Sequence, residues 1–111
     1  MRVYAIAQLW IHDSVTYGRY VSRFMEVFKN YKGRVLAADE SPLTIEGAWD
    51  GDKVVLLSFP DEASFREWVE SPDYLEVAKD RKGGAKSLIL LVKGIDALAK
   101  DLPGQDRTKS S

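Results

Sequence analysis

Apolar residues along this chain cluster in short segments whose patterns predict four strands. The segment Val3–Ile11 is rich in β-branched and aromatic residues, and it is predicted to form the first strand. Comparable segments predict strands over Arg34–Asp39, Lys53–Phe59 and Lys86–Lys93. Between the second and third of these, Pro42–Trp49 is predicted to be a strand or a bent continuation of one. The pattern therefore favours a sheet as the central layer of the protein.

Helical periodicity separates these strands. After Asp13 or Ser14, either of which is a suitable N-cap, apolar residues recur at steps of three and four up to a stop at Gly33. The residues of this stripe are Tyr17, Tyr20, Val21, Phe24, Val27, Phe28 and Tyr31. Asp61 is predicted to cap a second, shorter helix, and Ser71 restarts a helical segment that has a proline in its first turn.

The order of these elements predicts a fold class. Strand, helix, strand followed by strand, helix, strand is the split βαβ arrangement of a ferredoxin-like α+β domain. Such a domain has an antiparallel sheet with its helices on one face. We expect it to span residues 1–95 and to be followed by a polar C-terminal tail over residues 96–111.

The strands are apolar on both of their faces. An antiparallel sheet with one face in water should alternate apolar and polar residues, yet the segments around Val3, Val54 and Leu88 do not. Because the helices can cover only one face, the other needs a separate cover, and a second copy of the same sheet is the simplest one. The sequence therefore predicts a homodimer with an interface of roughly 1,200–2,000 Å² or more.

Composition narrows the possible chemistry. The chain has 111 residues, a net charge of -1 from 16 basic and 17 acidic residues, no Cys and one His. A near-neutral chain gives no electrostatic reason to expect a nucleic-acid partner. The Cys count excludes disulfides and Cys-ligated metal centres, and we expect neither a metal nor a bound cofactor. No apolar segment is long enough to cross a membrane, so we expect a cytoplasmic protein without a membrane partner.

Six short segments carry a resemblance to a known family. They are Val3–Gln8, Tyr17-x-x-Tyr20, Tyr31–Arg34, Glu46–Trp49, Val54–Pro60 and Trp68–Tyr74. In this order they are similar to the domain-of-unknown-function 1330 family (DUF1330), over roughly residues 3–94. The resemblance implies a dimeric α+β barrel, a superfamily that includes cofactor-independent monooxygenases, small-molecule isomerases and haem enzymes. This chain has Ala38-Asp39-Glu40 where many members of the family have a glycine-rich loop.

Three residues are candidates for chemistry. His12, at the predicted end of the first strand, is the natural acid–base group, and the alternative is an exposed or capping histidine. Glu46 is a second candidate, since burial would raise its pKa, and the alternative is an outward-facing carboxylate. Arg81, where members of the family also tend to carry Arg, is placed to hold a ligand carboxylate. The alternative for Arg81 is a surface ion pair with Glu46 or Asp80.

Aromatic residues suggest a ligand site. Tyr17, Tyr20 and Trp49 are expected either to line an apolar pocket with a few convergent donors or to be ordinary core residues. We therefore expect a dimeric protein that binds a small apolar or aromatic molecule, with proton-transfer or oxygenase-type chemistry that needs no cofactor. The alternative is a non-catalytic dimeric module, stress-linked or regulatory, whose aromatic residues fill a closed core.

Overall fold

Four antiparallel strands form one sheet in the order β2-β3-β1-β4. The strands are β1 (Val3–Ile11), β2 (Arg34–Asp39), β3 (Lys53–Phe59) and β4 (Ala85–Lys93) in the computed structural model, which describes residues 1–95. The helices are α1 (Ser14–Phe28), α2 (Glu62–Val69) and α3 (Pro72–Gly84). This is the ferredoxin-like α+β fold that the sequence predicts. The predicted tail over residues 96–111 lies outside the described residues.

Each helix begins at the capping residue that the sequence indicates. Asp13 accepts hydrogen bonds from the backbone N–H and the hydroxyl of Thr16, at 3.1 and 2.8 Å. Asp61 accepts from the backbone N–H of Ser64 at 2.8 Å, and Ser71 caps α3. These bonds satisfy N–H groups that the first turn of a helix leaves unpaired. The caps therefore fix where each helix leaves the sheet. No helix within residues 1–95 is long and apolar enough to cross a membrane.

The hydrophobic core lies between the helices and one face of the sheet. Phe28 of α1, Phe59 of β3 and Trp68 of α2 are all buried, and their ring centroids are 5.1 to 5.9 Å apart. Aromatic rings at such distances pack favourably beyond the area that they bury. This cluster holds one end of α1 against β3 and α2. Trp68 also borders the cavity described below.

The predicted strand over Pro42–Trp49 is wrong, because these residues form an irregular connection between β2 and β3. Gly47 adopts a φ of +90°, a conformation that interrupts an extended strand and favours glycine. Trp49 contacts the sheet through its side chain instead of its backbone. Its indole N–H donates to Oε1 of Gln8 at 3.1 Å. Gln8 lies on the face of β1 that has no helices, so Trp49 packs on that face as well.

Helix α1 ends at Phe28 rather than continuing to Gly33 as predicted. The backbone N–H groups of Asn30 and Tyr31 donate to carbonyls three residues earlier. These bonds form a tighter 3-10 type turn that ends the α-helix. Tyr31 therefore lies beyond the helix, where its hydroxyl donates to Asp73 at 2.9 Å. The predicted closing strand begins one residue earlier than expected, at Ala85, directly after α3.

An irregularity in β2 turns two of its residues toward the helices. The register of β2 shifts between Val35 and Ala37, so Val35 pairs with Leu57 while Ala38 pairs with Val55. Leu57 and Val55 both have the parity of the helix-facing side of β3. A regular strand would send residues three apart to opposite faces, so the bulge places both Val35 and Ala38 toward the helices.

The second face of the sheet carries no helix and is largely apolar. Alternation along β4 places Leu88, Leu90 and Val92 on this face, and each is more than two-fifths exposed in the single chain. Ile6 of β1 and Leu56 of β3 lie on the same face and are half-buried. This surface is called the open sheet face below. The strands therefore lack apolar–polar alternation in the sequence because the sheet is apolar on both of its faces.

Candidate functional site

A cavity of about 220 Å³ lies between the helices and the helix-facing side of the sheet. Its apolar walls come from all four strands and from α1 and α2. They include Ala5, Ala7, Leu9, Val21, Phe24, Met25, Val35, Ala38, Val55, Leu57, Phe65, Val69 and Ile89. Val21, Met25 and Val35 are also partly exposed, so the cavity reaches the surface between α1 and β2.

Three tyrosines are among the polar residues of the cavity lining. Tyr17 and Tyr20 are neighbours on α1, with ring centroids 5.6 Å apart, and Tyr74 enters from α3. The hydroxyls of Tyr20 and Tyr74 form a hydrogen bond of 2.8 Å. Burial raises the pKa of Tyr17 to about 12 and raises that of Tyr20 further. Both hydroxyls therefore remain protonated at neutral pH.

Lys53 lines the same cavity although it is only 7% exposed. It is the first residue of β3, and it shares the helix-facing parity of Val55, Leu57 and Phe59. Its ammonium lies 5.0 Å from the centroid of the Tyr17 ring. Burial lowers the pKa of Lys53, an effect that the negative charge of the exposed Glu40 partly opposes. The sequence analysis did not single out this lysine.

Arg81 of α3 also lines the cavity, and β4 orients it. Its guanidinium donates to Oγ of Ser87 at 2.9 Å, while its Nε is buried without a hydrogen-bond partner. The surface pair with Glu46 or Asp80 that the sequence left open does not form, because Asp80 lies beside Arg19 and Arg23 instead. Glu46 is exposed on the connection between β2 and β3.

The indole N–H of Trp68 is a second buried donor without a partner. Trp68 is 4% exposed and lines the cavity from α2. A buried donor that makes no hydrogen bond lowers stability, so such groups are uncommon in folded proteins. Trp68 and Arg81 both line the cavity, and each carries one buried N–H group without a hydrogen-bond partner.

The structure brings together three of the six residues that the sequence indicates. Tyr17, Tyr20 and Arg81 line the cavity. His12 is exposed at the end of β1, where its backbone N–H donates to the carbonyl of Gly84 at 3.0 Å. Glu46 is exposed and Trp49 packs on the open sheet face, so neither lines the cavity.

Because the pKa of Tyr17 is raised, the free energy of unfolding should change with pH in the alkaline range. Since the folded pKa is about 12 and the unfolded value is near 10, the protonated phenol stabilises the fold fully below about pH 10. This contribution is lost as the pH rises through 12. We expect the urea midpoint to fall between pH 10 and 11.5, and to fall less in Tyr17→Phe.

The comparison with Tyr17→Phe cancels the opposite effect of Lys53. Because burial lowers the pKa of Lys53, its contribution to the free energy of unfolding increases as the pH rises toward 10.5. Phenylalanine keeps the ring beneath this ammonium. Equal pH dependence in the parent and in Tyr17→Phe would contradict the assignment.

Solved structures with similar folds come from several bacteria. A protein of unknown function from Rhodopseudomonas palustris is 20% identical, with a TM-score of 0.72 over 86% of this chain and 83% of its own. SnoaB, a cofactor-independent oxygenase from Streptomyces nogalater, is 18% identical, with a TM-score of 0.63 over 87% of this chain and 96% of its own. A dimeric ferredoxin-like protein of unknown function from Thermobifida fusca is 15% identical, with a TM-score of 0.63 over 85% and 92%.

At these identities the likeness shows a common fold. A search of curated proteins finds no match to this chain. A family model, by contrast, matches residues 2–95, which include every strand and helix described above. The resemblance drawn from the six short segments is therefore confirmed, and the chain belongs to the family described as domain of unknown function (DUF1330).

Proposed function

We propose that this chain binds a small, largely apolar or aromatic molecule in the cavity between its helices and its sheet. The observation that carries the proposal is the cavity itself, which combines apolar walls with a few polar groups in the manner of small-molecule sites. A purely apolar cavity of roughly 150 Å³ is known to hold a benzene molecule. A volume of about 220 Å³ is suitable for one or two fused rings.

The alternative of a non-catalytic module with a closed core is less well supported. Tyr17 and Tyr20 do pack as core residues, since both are buried in the single chain. Their rings nevertheless border a space much larger than the gaps between well-packed side chains. This space is what favours a ligand site over a structural role alone.

Filling the cavity tests the proposal. Ala7 lines the cavity from β1, so Ala7→Leu should occupy part of its volume. With 1-naphthoate as the probe, we expect measurable binding by isothermal titration calorimetry and a loss of at least about tenfold in Ala7→Leu. The physical reason is steric, because each added methylene removes space that the ring system needs.

Ala63→Leu is the matched control, since Ala63 is exposed on α2 and does not line the cavity. Its affinity should equal that of the parent, and circular dichroism should show that both variants are folded. Equal affinity in Ala7→Leu and the parent would place the probe elsewhere and would overturn the proposal.

We also propose that a second copy of the chain covers the open sheet face. Leu88, Leu90 and Val92 form an exposed apolar row that a monomer in water would leave uncovered. Two neighbours with this fold are described as dimeric ferredoxin-like proteins. A homodimer explains why β1, β3 and β4 are apolar on both faces.

A further inference from the structure

Each polar side chain that lines the cavity can donate a hydrogen bond, and two of them are cations. Lys53 and Arg81 carry positive charges, Trp68 supplies an indole N–H, and the remaining polar groups are the tyrosine hydroxyls. Among the described residues that line the cavity there is no Asp, Glu, His, Asn or Gln. Two cations with no carboxylate among the lining residues favour a ligand that carries acceptor atoms and negative charge.

The sheet register places the two cations at one end of the cavity. Lys53 pairs with Leu9 on β1, and Leu9 pairs with Ser87 on β4. These three residues form one row on the helix-facing side, and Arg81 is hydrogen-bonded to Ser87. Since neighbouring strands are about 4.8 Å apart, the two ends of this row are separated by roughly 10 Å. Tyr17 lies close to both cations, because the Lys53 ammonium is near its ring and the Arg81 charge lowers its pKa.

Neither cation has an anionic partner within residues 1–95. No carboxylate oxygen lies within 4.0 Å of the Lys53 ammonium or of the Arg81 guanidinium. Glu40 acts on Lys53 only through its more distant charge. Buried cations are usually paired, because removing an isolated charge from water is costly. An anionic group that entered between Lys53 and Arg81 would supply the missing partner of both cations.

We propose that the ligand of this cavity is an anion, a flat apolar or aromatic body with a carboxylate or similar acidic oxygen held between Lys53 and Arg81. This inference rests on the proposed function and specifies its substrate class. The apolar body lies against the walls toward Phe24 and Trp68, and the acidic oxygen lies at the Lys53–Leu9–Ser87 row. Charge-assisted hydrogen bonds in such a site are stronger than neutral ones.

Two probes of nearly equal shape distinguish the effect of the ligand's charge from the effect of its shape. The full chain is titrated calorimetrically with 1-naphthoate and with its neutral analogue 1-naphthamide. We expect the carboxylate to bind at least about tenfold more tightly than the amide. In Lys53→Met and in Arg81→Gln this preference should fall to about threefold or less. Lys53→Met keeps a flexible apolar side chain in place of the buried stem and is expected to remain folded.

Lys82→Gln is the matched control for lost charge. Lys82 is exposed on α3 next to Arg81, and it does not line the cavity. Its preference for the carboxylate should equal that of the parent. Equal binding of the two probes by the parent chain would overturn the inference and leave the proposed function intact. If neither probe binds, the proposed function fails, and the inference fails with it.

Discussion

Leu90→Glu is expected to convert the proposed dimer into a monomer at micromolar concentration. Leu90 lies in the middle of β4 on the open sheet face and is 50% exposed in the single chain. In a face-to-face dimer this position is covered, so a carboxylate there would lose its water without gaining a partner. The two-fold axis doubles the effect, because each copy carries the charge. We expect the dissociation constant to rise by at least about 100-fold, which sedimentation velocity and native mass spectrometry can measure.

Leu75→Glu is the matched control for this prediction. Leu75 lies on α3, is 48% exposed, and belongs to neither the cavity lining nor the open sheet face. The same change of residue at nearly the same exposure should leave the dimer intact. Dissociation in both variants, or in neither, would contradict the dimer that we propose. A monomeric parent chain at micromolar concentration would contradict it most directly.

The parts of the fold that the sequence predicts well are those set by local chemistry. Asp13, Asp61 and Ser71 each have a short oxygen-bearing side chain followed by a helical stripe, and each caps a helix in the structure. The strands β1, β3 and β4 are identified by β-branched and apolar residues with few breaks. Their two-sided apolar character is visible in the sequence because the parity of each position is known once the strand is assigned.

The incorrect strand prediction over Pro42–Trp49 shows that local residue preferences alone do not determine whether a strand forms. Thr44 and Ile45 favour extended backbone, but a strand also needs a neighbour with free N–H and C=O groups. In the described sheet only β2 and β4 have a free edge, and residues 42–49 pair with neither, since Gly47 turns the connection away. The attachment of Trp49 to Gln8 depends on residues 41 positions apart, which no local pattern reveals.

The candidate site is predictable in part for the same reason. Tyr17 and Tyr20 are one turn apart on a clear apolar stripe, so their position facing the sheet follows from the helix. Lys53 was missed because a lysine at the start of a strand usually reaches solvent. A signal for it does exist, since Lys53 has the parity of Leu57 and Phe59 and therefore points inward. The unpaired N–H of Trp68 has no sequence signal, because it depends on how three elements pack.

Gly84→Ala is expected to destabilise the protein by about 3 kcal/mol, the upper end of the usual effect of overpacking. Gly84 ends α3 where the chain passes against the start of α1. A Cβ at this position would lie 2.6 Å from the backbone nitrogen of Tyr17 and 2.9 Å from the carbonyl oxygen of Asp13. Both are backbone atoms that cannot rotate away. The carbonyl of Gly84 also accepts hydrogen bonds from the backbone N–H groups of His12 and Asp13, at 3.0 and 3.1 Å.

The neighbouring glycine supplies a control of opposite sign. A Cβ on Gly83 would meet only Cγ2 of Thr16, at an ordinary contact distance of 3.5 Å. Neither glycine has a positive φ, so alanine fits the backbone conformation at both positions. Gly83→Ala should therefore stabilise α3 by roughly 0.5–1 kcal/mol, as helical alanine does relative to glycine. Urea unfolding of the two variants should thus move the midpoint in opposite directions. A Gly84→Ala variant as stable as the parent would mean that α1 can move away from α3 at little cost. In that case Tyr17 would not be held rigidly at the cavity.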